Sequence, residues 1–243
     1  MNNLLTVSNI KKDYFTENGE ISALDDISFE IKKNEFIAIV GPSGCGKSTL
    51  LDTIAGLTNT NQGKIKFWTK HPKIGYMFQQ DALFPWLSIL DNCLIGNKIR
   101  KDSDKTLAVR LLNKYGLEQF IHKYPTSLSG GMKQRVALIR TLSINPDLLL
   151  LDEPFCALDY NTRLKVSKDV YEIIKNEQKT AIMVTHDIAE AISLADKVII
   201  LSKRPAKIKS ILTIDFEETT PIAKRTSPKF SQYYTKIWRD IDE

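Results

Sequence analysis

The chain has 243 residues, of which 42% are hydrophobic and 26% charged, and its 34 basic and 29 acidic residues give a net charge of +5 at pH 7. These values are ordinary for a folded protein, so they exclude a disordered chain, a fibre and a mini-protein that needs crosslinks. No apolar run approaches the roughly 18–20 residues of a membrane-spanning helix. The first residues lack an apolar signal core, and the three cysteines show no metal-site spacing, which predicts a reduced protein in the cytoplasm.

The predicted elements alternate between strands and helices after an N-terminal section of a different kind. Residues 1–35 suggest antiparallel strands around Leu4–Val7 and Ile27–Ile31, with turns at Asn18-Gly19 and Lys33-Asn34. Continuous apolar runs, which are typical of strands buried on both faces, occur at Phe36–Val40, Leu148–Leu151, Ala181–Val184 and Val198–Leu201. Helical patterns run from Lys47 to Gly56, from near Ser129 to before Asn145-Pro146, and roughly from Asn161 to Asn176. Residues 81–127 look mostly helical, and a helix-like piece ends the chain. The fold class predicted is α/β.

A glycine-rich segment directly follows the first buried strand and opens a helix. It reads GPSGCGKS and fits the pattern G-x-x-x-x-G-K-[ST]. Such a loop turns its backbone N–H groups toward phosphate oxygens, its lysine (Lys47) reaches the β- and γ-phosphates, and its serine (Ser48) can ligate Mg²⁺. We therefore predict a P-loop enzyme, either a purine nucleoside triphosphatase or a kinase. The nucleotide-binding residues expected here are Gly41, Pro42, Ser43, Gly44, Cys45, Gly46, Lys47, Ser48 and Thr49.

One residue of the loop suggests a chemical test. Cys45 lies where the loop opens the helix, and a helix N-terminus lowers the pKa of a thiol. We expect Cys45 to be alkylated, and bound nucleotide to block the reaction. The alternative is a small residue that simply fits the loop.

Two acids follow the second buried strand. Asp152 and Glu153 come directly after Leu148–Leu151, so both lie at the carboxyl edge of the predicted sheet, where ligands bind. Asp152 can hold the Mg²⁺ shell, and Glu153 can polarise an attacking water. An acidic pair after a strand is a weak signal alone, but it becomes strong beside the loop.

A series of motifs along the chain resembles those of the ATP-binding cassette (ABC) ATPases. Besides the loop and the acidic pair, the chain has LSGGMKQR at 128–135, which resembles the family signature LSGGQ, with Met132 replacing the glutamine. Gln79 stands in YMFQ before it, Asp159 in ALD and His186 in VTHD after it. The resemblance covers essentially the whole chain. It implies a P-loop NTPase core with a parallel sheet, an N-terminal antiparallel β subdomain and a helical signature subdomain.

The resemblance also assigns roles to single residues. Glu153 matches the catalytic base, His186 the switch histidine that touches the γ-phosphate, and Gln79 the glutamine that contacts Mg²⁺ or water. Ser129, Gly130 and Gly131 match the signature that caps the γ-phosphate of the opposite subunit, and Asp159 matches the aspartate that communicates across the dimer. Tyr14 matches the aromatic that stacks on adenine, with Phe15 competing for that role. The catalytic set is Lys47, Gln79, Glu153 and His186, and the metal set is Ser48, Gln79 and Asp152. His71 and His122, outside any motif, are expected at the surface.

The implied organisation is one ABC ATPase domain over residues 1–215, with a helical subdomain at about 81–145, and a C-terminal tail with a terminal helix over 216–243. Each chain has one loop and one signature, so the resemblance implies a homodimer that sandwiches ATP and Mg²⁺ between its subunits.

Two further segments resemble the nitrate/sulfonate/taurine group of bacterial importers: DALFPWLSILDN at 81–92 and KRPAKI at 203–208. This implies the ATP-hydrolysing subunit of an importer, peripheral on the cytoplasmic face of the membrane. A transmembrane permease would dock near Gln79 and Phe84–Trp86, with a solute-binding protein acting indirectly. Aromatics beside a proline can instead be core packing or a local turn. The alternatives are a soluble ABC ATPase acting on nucleic acid or ribosomes, which usually has a second cassette or a long insertion, and a non-hydrolysing ATP-binding scaffold. No nucleic-acid partner is expected.

Overall fold

The computed structural model of the chain describes residues 3–17 and 19–242, so Asn18 of the expected Asn18-Gly19 turn lies outside the described residues. Within these ranges there are nine strands and eight α-helices. The strands are β1 (Asn3–Thr16), β2 (Gly19–Lys32), β3 (Phe36–Val40), β4 (Gln62–Phe67), β5 (Ile74–Met77), β6 (Leu148–Asp152), β7 (Thr180–Val184), β8 (Lys197–Leu201) and β9 (Ile208–Thr213). The helices are α1 (Lys47–Ala55), α2 (Ile89–Ile99), α3 (Thr106–Lys114), α4 (Gly130–Leu142), α5 (Tyr160–Asn176), α6 (Ile188–Leu194), α7 (Pro221–Thr226) and α8 (Pro228–Asp242).

A six-stranded sheet forms the centre of the molecule, in the order β5-β6-β7-β3-β8-β9. The first five strands pair in parallel, and β9 closes the sheet antiparallel to β8. The four apolar runs are confirmed as β3, β6, β7 and β8, each within one residue of its predicted bounds. They are recognisable because their residues are almost all buried, as expected of parallel strands covered on both faces.

The N-terminal section forms a second, three-stranded antiparallel sheet in the order β2-β1-β4. The predicted antiparallel pair is confirmed, but β1 and β2 each extend over 14 residues and are much longer than the apolar runs that revealed them. Their outer halves are exposed or half-buried, so no apolar run marks them. The third strand, β4, was not predicted because it is mostly polar and exposed.

The central sheet separates two hydrophobic clusters. Phe36, Ala38 and Val40 of β3 face a cluster that includes residues of most of the helices, whereas Ile37 and Ile39 face a cluster with α1 and the antiparallel sheet. Alternate residues of a strand point to opposite faces, so one five-residue strand supplies both clusters. Helix α1 is consequently held between the two sheets, and its N-terminus is at the carboxyl end of β3.

The segment from 81 to 127 contains α2 and α3, as predicted, but residues 81–88 are irregular. Helices α2 and α3 both pack on α4. Glu177, the C-cap residue directly after α5, accepts hydrogen bonds from Arg110, Lys114 and Tyr115 at 2.7, 2.7 and 2.9 Å. This cluster fastens α3 to the core helix α5.

The end of the chain packs on the core. Helix α8 contacts α6 and β8, and Ile237 on α8 is fully buried. Ser210 on β9 donates to Asp240 at 2.5 Å. The division at residue 215 stays a prediction. No helix formed by residues 3–17 and 19–242 is both long and apolar enough to cross a membrane.

Candidate functional site

Four segments with predicted site residues meet at one edge of the central sheet. The loop at 41–48 follows β3, Asp152 ends β6, and His186 follows β7 by two residues. These three strands are parallel neighbours, with β7 between β3 and β6. Gln79 follows β5, which lies beside β6 at the same edge. The carboxyl ends of parallel strands are where open α/β sheets bind their ligands.

The loop closes around the ammonium group of Lys47, which is buried. Its Nζ donates to the carbonyl oxygens of Gly41 and Pro42, both at 2.9 Å. Gly44 and Gly46 have φ values of 69° and 123°, which other residues adopt only with strain. Gly46 precedes α1 and provides no side-chain cap for its first N–H groups. The start of α1 therefore presents uncapped donors and the positive end of a helix dipole beside a lysine, which is the arrangement that binds a phosphate.

Ser48 in the first turn of α1 is in direct contact with Asp152 at the end of β6. The Ser48 hydroxyl donates to Asp152 Oδ1 at 3.1 Å. Burial raises the pKa of Asp152, while the hydrogen bond from Ser48 opposes that rise. Two hard oxygen donors thus stand together beside the phosphate-binding loop, as a site for a hard divalent cation requires.

Glu153 and His186 form the second pair. Nδ1 of His186 lies 2.9 Å from Oε2 of Glu153, whose carboxylate is less exposed than the imidazole. Glu153 has φ 43°, a left-handed conformation that is uncommon for a residue with a side chain. Its backbone N–H donates to Val184 at 2.9 Å, which holds the turn against β7. This unusual backbone directs the acid toward the histidine.

The structure adds two residues that the motifs did not predict. Tyr76 on β5 donates its hydroxyl to Asp52 Oδ1 on α1 at 2.9 Å. Burial and the nearby carboxylates of Asp152 and Asp52 raise the pKa of Tyr76. Asp52 stands four residues after Ser48 on α1, hence on the same helix face; that spacing is a signal that could have pointed to it. The hydrogen bond between Tyr76 and Asp52 therefore joins β5, which precedes Gln79, to α1, which contains Ser48.

Gln79 is exposed, as are the nearby aromatics Phe78 and Trp86, whereas Tyr76 and Phe84 are half-buried. Phe78 stacks on Tyr76 with ring centroids 4.6 Å apart, and Trp86 is 70% exposed with its ring 5.5 Å from that of Phe84. The exposure of Trp86 contradicts the alternative in which it is core packing. His71 and His122 are also exposed, as predicted.

The signature lies at the start of α4. Ser129 is its N-cap, with Oγ accepting from the N–H of Met132 at 3.4 Å. A Cβ on Gly131 would come within 2.8 Å of Cγ2 of Val166 on α5, so glycine is required there for close packing. Gly130, in contrast, is exposed. The signature is therefore a closely packed helix start with its first residues open to a partner.

Asp159 and Tyr14 lie on other elements. Asp159 caps α5 and accepts from the N–H of Thr162 at 3.1 Å. Tyr14 on β1 is 38% exposed, with Nζ of Lys12 at 4.8 Å from its ring centre, and Phe15 is 76% exposed. The two roles assigned to them, across the dimer and against adenine, stay predictions.

The expected reactivity of Cys45 is wrong. The side chain is buried, packed against the core of the antiparallel sheet and α1, and only 1% exposed. Burial raises the pKa of its thiol, and this effect outweighs the lowering of the pKa by Lys47 and by backbone N–H groups. A buried, protonated thiol is a poor nucleophile, so Cys45 is a small packing residue of the loop.

Comparison with known proteins agrees with this geometry. The profile of the family described as ABC transporter matches residues 24–156. The uncharacterized ABC transporter ATP-binding protein YtlC of Bacillus subtilis (strain 168) is 44% identical over 98% of this chain and 95% of its own length. The aliphatic sulfonates import ATP-binding protein SsuB of Bacillus anthracis is 35% identical over 98% of this chain and 96% of its own length.

Among solved structures, the chain is similar to a dimeric, post-hydrolysis state of the ATP-binding cassette MJ0796 bound to ADP and Pi. The TM-score is 0.73 at 31% identity, and the alignment covers 88% of this chain and 100% of that one.

Proposed function

We propose a function from the premise that this chain belongs to the ABC transporter family, as an ATP-binding protein and ATPase. The proposal is that it is the ATP-hydrolysing subunit of a bacterial importer for a small solute such as a sulfonate, taurine or nitrate. The observation that supports the ATP-hydrolysing role is that the Ser48–Asp152 pair and the Glu153–His186 pair both lie beside the loop at 41–48.

The triphosphate binds at the loop. The uncapped start of α1 donates to phosphate oxygens, and Lys47 exchanges its two carbonyl partners, Gly41 and Pro42, for the β- and γ-phosphates. Because the ammonium group is already held at the loop, little side-chain entropy is lost when it turns to the phosphates. Tyr14 stacks on the adenine.

Mg²⁺ fits the oxygen pair of Ser48 and Asp152. This cation keeps several waters and binds through one or two protein oxygens plus substrate phosphates. Consistent with that, residues 3–17 and 19–242 contain no cluster of three or more His, Cys, Asp or Glu side chains that could hold a metal by themselves. Gln79, two residues after β5, would add a further oxygen ligand. The cation would neutralise charge on the phosphates.

Glu153 and His186 perform the chemistry. The carboxylate of Glu153 orients the attacking water and accepts its proton. His186, whose Nδ1 lies 2.9 Å from the carboxylate of Glu153, contacts a γ-phosphate oxygen through its other ring nitrogen.

Two chains complete each site. Ser129, Gly130 and Gly131 of one chain cap the γ-phosphate bound by the loop of the other, through the open start of α4. Asp159 communicates between the two sites. ATP binds the closed dimer better than the open one, and this difference in affinity closes it.

The importer role is supported by the relatives. SsuB of Bacillus anthracis is described as an aliphatic sulfonates import protein and is similar over almost the whole chain. The ring pair of half-buried Phe84 and exposed Trp86, a few residues after Gln79, is the surface on which the transmembrane permease docks. The chain is then peripheral at the cytoplasmic face of the membrane, and a solute-binding protein acts through the permease.

The test is co-purification of the tagged chain from gently solubilised membranes of its own cells. Wild type is expected to retain a multi-spanning permease, and W86A to lose most of it because a large exposed aromatic anchor is removed. W68A is the matched control, since Trp68 is also exposed (56%) but directly follows β4 of the antiparallel sheet. ATP binding should be unchanged in both variants.

Recovery of ribosomes or nucleic acid in place of a permease would overturn the transport role. Equal loss of permease in W86A and W68A would remove the docking role of the Phe84–Trp86 surface.

A further inference from the structure

A cluster of charged side chains lies beside the proposed site and is not used by the chemistry above; Glu190 is buried, whereas Arg163 and Asp187 are half-buried. Arg163 on α5 extends toward the loop that carries His186. Its Nη2 donates to the carbonyl oxygen of Leu158, directly before Asp159, at 2.9 Å. Its Nη1 lies 3.7 Å from Asp187 Oδ2, and its Nε lies 3.9 Å from Glu190 Oε1. One guanidinium therefore contacts both segments that flank the site.

The two segments are otherwise held by separate networks. On one side, the N–H of Arg163 donates to the carbonyl of Asp159 at 2.8 Å, within the first turn of α5. On the other side, the Thr185 hydroxyl donates to Glu190 at 2.8 Å and accepts from the N–H of Asp187 at 3.0 Å. His186 stands between Thr185 and Asp187, so its backbone is enclosed by this second network.

We propose that Arg163 and Glu190 are positioning residues that couple the Asp159 segment to the His186 loop. The proposal rests on the proposed ATPase function, because it assigns no new reaction to the cluster. Neither residue contacts the reacting atoms, and both act through the placement of His186 and Asp159.

The contact distances suit a link that can tighten. Arg163 Nε is buried without a hydrogen-bond partner among the described residues. The separations of 3.7 and 3.9 Å from the two acids exceed a hydrogen bond, which is 2.7–3.2 Å between heavy atoms in general. A shift of about 1 Å in either segment would convert both contacts to charge-assisted hydrogen bonds, which are roughly twice as strong as neutral ones. Movement at Asp159 would then reach His186.

The charge of Glu190 makes this link sensitive to pH. Burial, and next the charge of Asp187, raise the pKa of Glu190 to about 7. The charged groups that face it are Asp187 at the start of its own helix, Arg163 from α5 and Arg225 from α7. Above pH 7 the acid is a carboxylate that attracts Arg163. Below pH 7 it is protonated, and the attraction is lost.

The experiment is steady-state ATP hydrolysis by the full chain from pH 6 to pH 9, with kcat and KM measured separately. R163Q is expected to lower kcat about tenfold at pH 8 with KM for ATP changed less than about twofold, because geometry and not binding is lost. R163K should not restore the rate, since a lysine cannot bridge a carbonyl and two acids.

In wild type kcat should fall as the pH drops through about 7, and in E190Q that transition should be absent.

K168Q is the matched control, because Lys168 is on the same helix in an exposed pair with Glu172. Thermal unfolding of each variant separates misfolding from misplacement, and if R163Q does not fold, the pH profile of E190Q decides alone. The proposal is overturned if R163Q has the wild-type kcat, or if E190Q keeps the wild-type pH transition. In either case the proposed function stands as long as the wild-type chain hydrolyses ATP. A wild-type chain that does not hydrolyse ATP overturns both.

Discussion

At Glu153 the backbone and the side chain are fixed by different neighbours. Val184 on β7 accepts the hydrogen bond of its N–H at 2.9 Å, and Nδ1 of His186 lies 2.9 Å from its carboxylate. The left-handed backbone of this residue costs energy that the surrounding structure has to supply. Such strain at a pair of titratable groups is typical of functional sites.

Replacing that acid separates binding from chemistry. E153Q should lower kcat for ATP by at least about 10²-fold, because an amide cannot accept the proton of the attacking water. ATP affinity should stay close to wild type, since Lys47 and the start of α1 are untouched. The measurements are phosphate release and nucleotide titration. E172Q, an exposed acid on α5, is the control, and hydrolysis by E153Q at the wild-type rate would remove the assignment of Glu153 as the base.

At the scale of elements, Glu177 connects α3 to α5. Burial alone would raise the pKa of Glu177, but the hydrogen bonds from Lys114, Arg110 and Tyr115 outweigh it and lower the pKa to about 2. Because the folded pKa is below the ordinary value of 4.5, the stabilisation is fully present above pH 4.5 and is lost as the pH falls through 2.

E177Q should therefore lower the free energy of unfolding by about 1–2 kcal/mol at pH 7, a figure reduced for the solvent exposure of Arg110 and Lys114. The difference from wild type should shrink between pH 4.5 and pH 2. Urea unfolding at several pH values measures it, with E172Q as an exposed acid for comparison. A difference that does not depend on pH would mean that packing, and not charge, connects the two helices.

The predictable elements are those whose burial follows one simple pattern. Strands β3, β6, β7 and β8 are continuous apolar runs because helices or a second sheet cover both of their faces. Strands β4 and β9 are half-exposed at sheet edges, so their mixed residues do not differ from those of a loop. The irregular stretch at 81–88 was predicted as part of a helical segment, because the helix propensities of its residues do not separate it from the helices that follow.

The motifs of the site were recognisable because each requires fixed residues at fixed spacing. The loop, the acidic pair and the His186 segment come together at one sheet edge as their strand positions predicted. The contacts of Tyr76 with Asp52, and of Arg163 with Asp187 and Glu190, join elements distant in sequence. The inertness of Cys45 likewise depends on tertiary burial, which no local pattern reports.

For the whole molecule, the central claim is that two chains share each ATP site. Lys47 belongs to the loop after β3 and Gly130 to the open start of α4, and each chain has one of each. K47A removes the phosphate-binding charge. G130D places a negative charge at a helix start, where it stabilises the helix but repels phosphate.

The most direct measurement is ATP hydrolysis by a mixture of the K47A and G130D chains. Each variant alone should be inactive, because both of its sites are damaged. With random pairing, half of the dimers contain one chain of each kind and one intact site, so the mixture should recover up to about a quarter of the wild-type rate. A mixture as inactive as its separate components would contradict the shared site and with it the dimer on which the account depends.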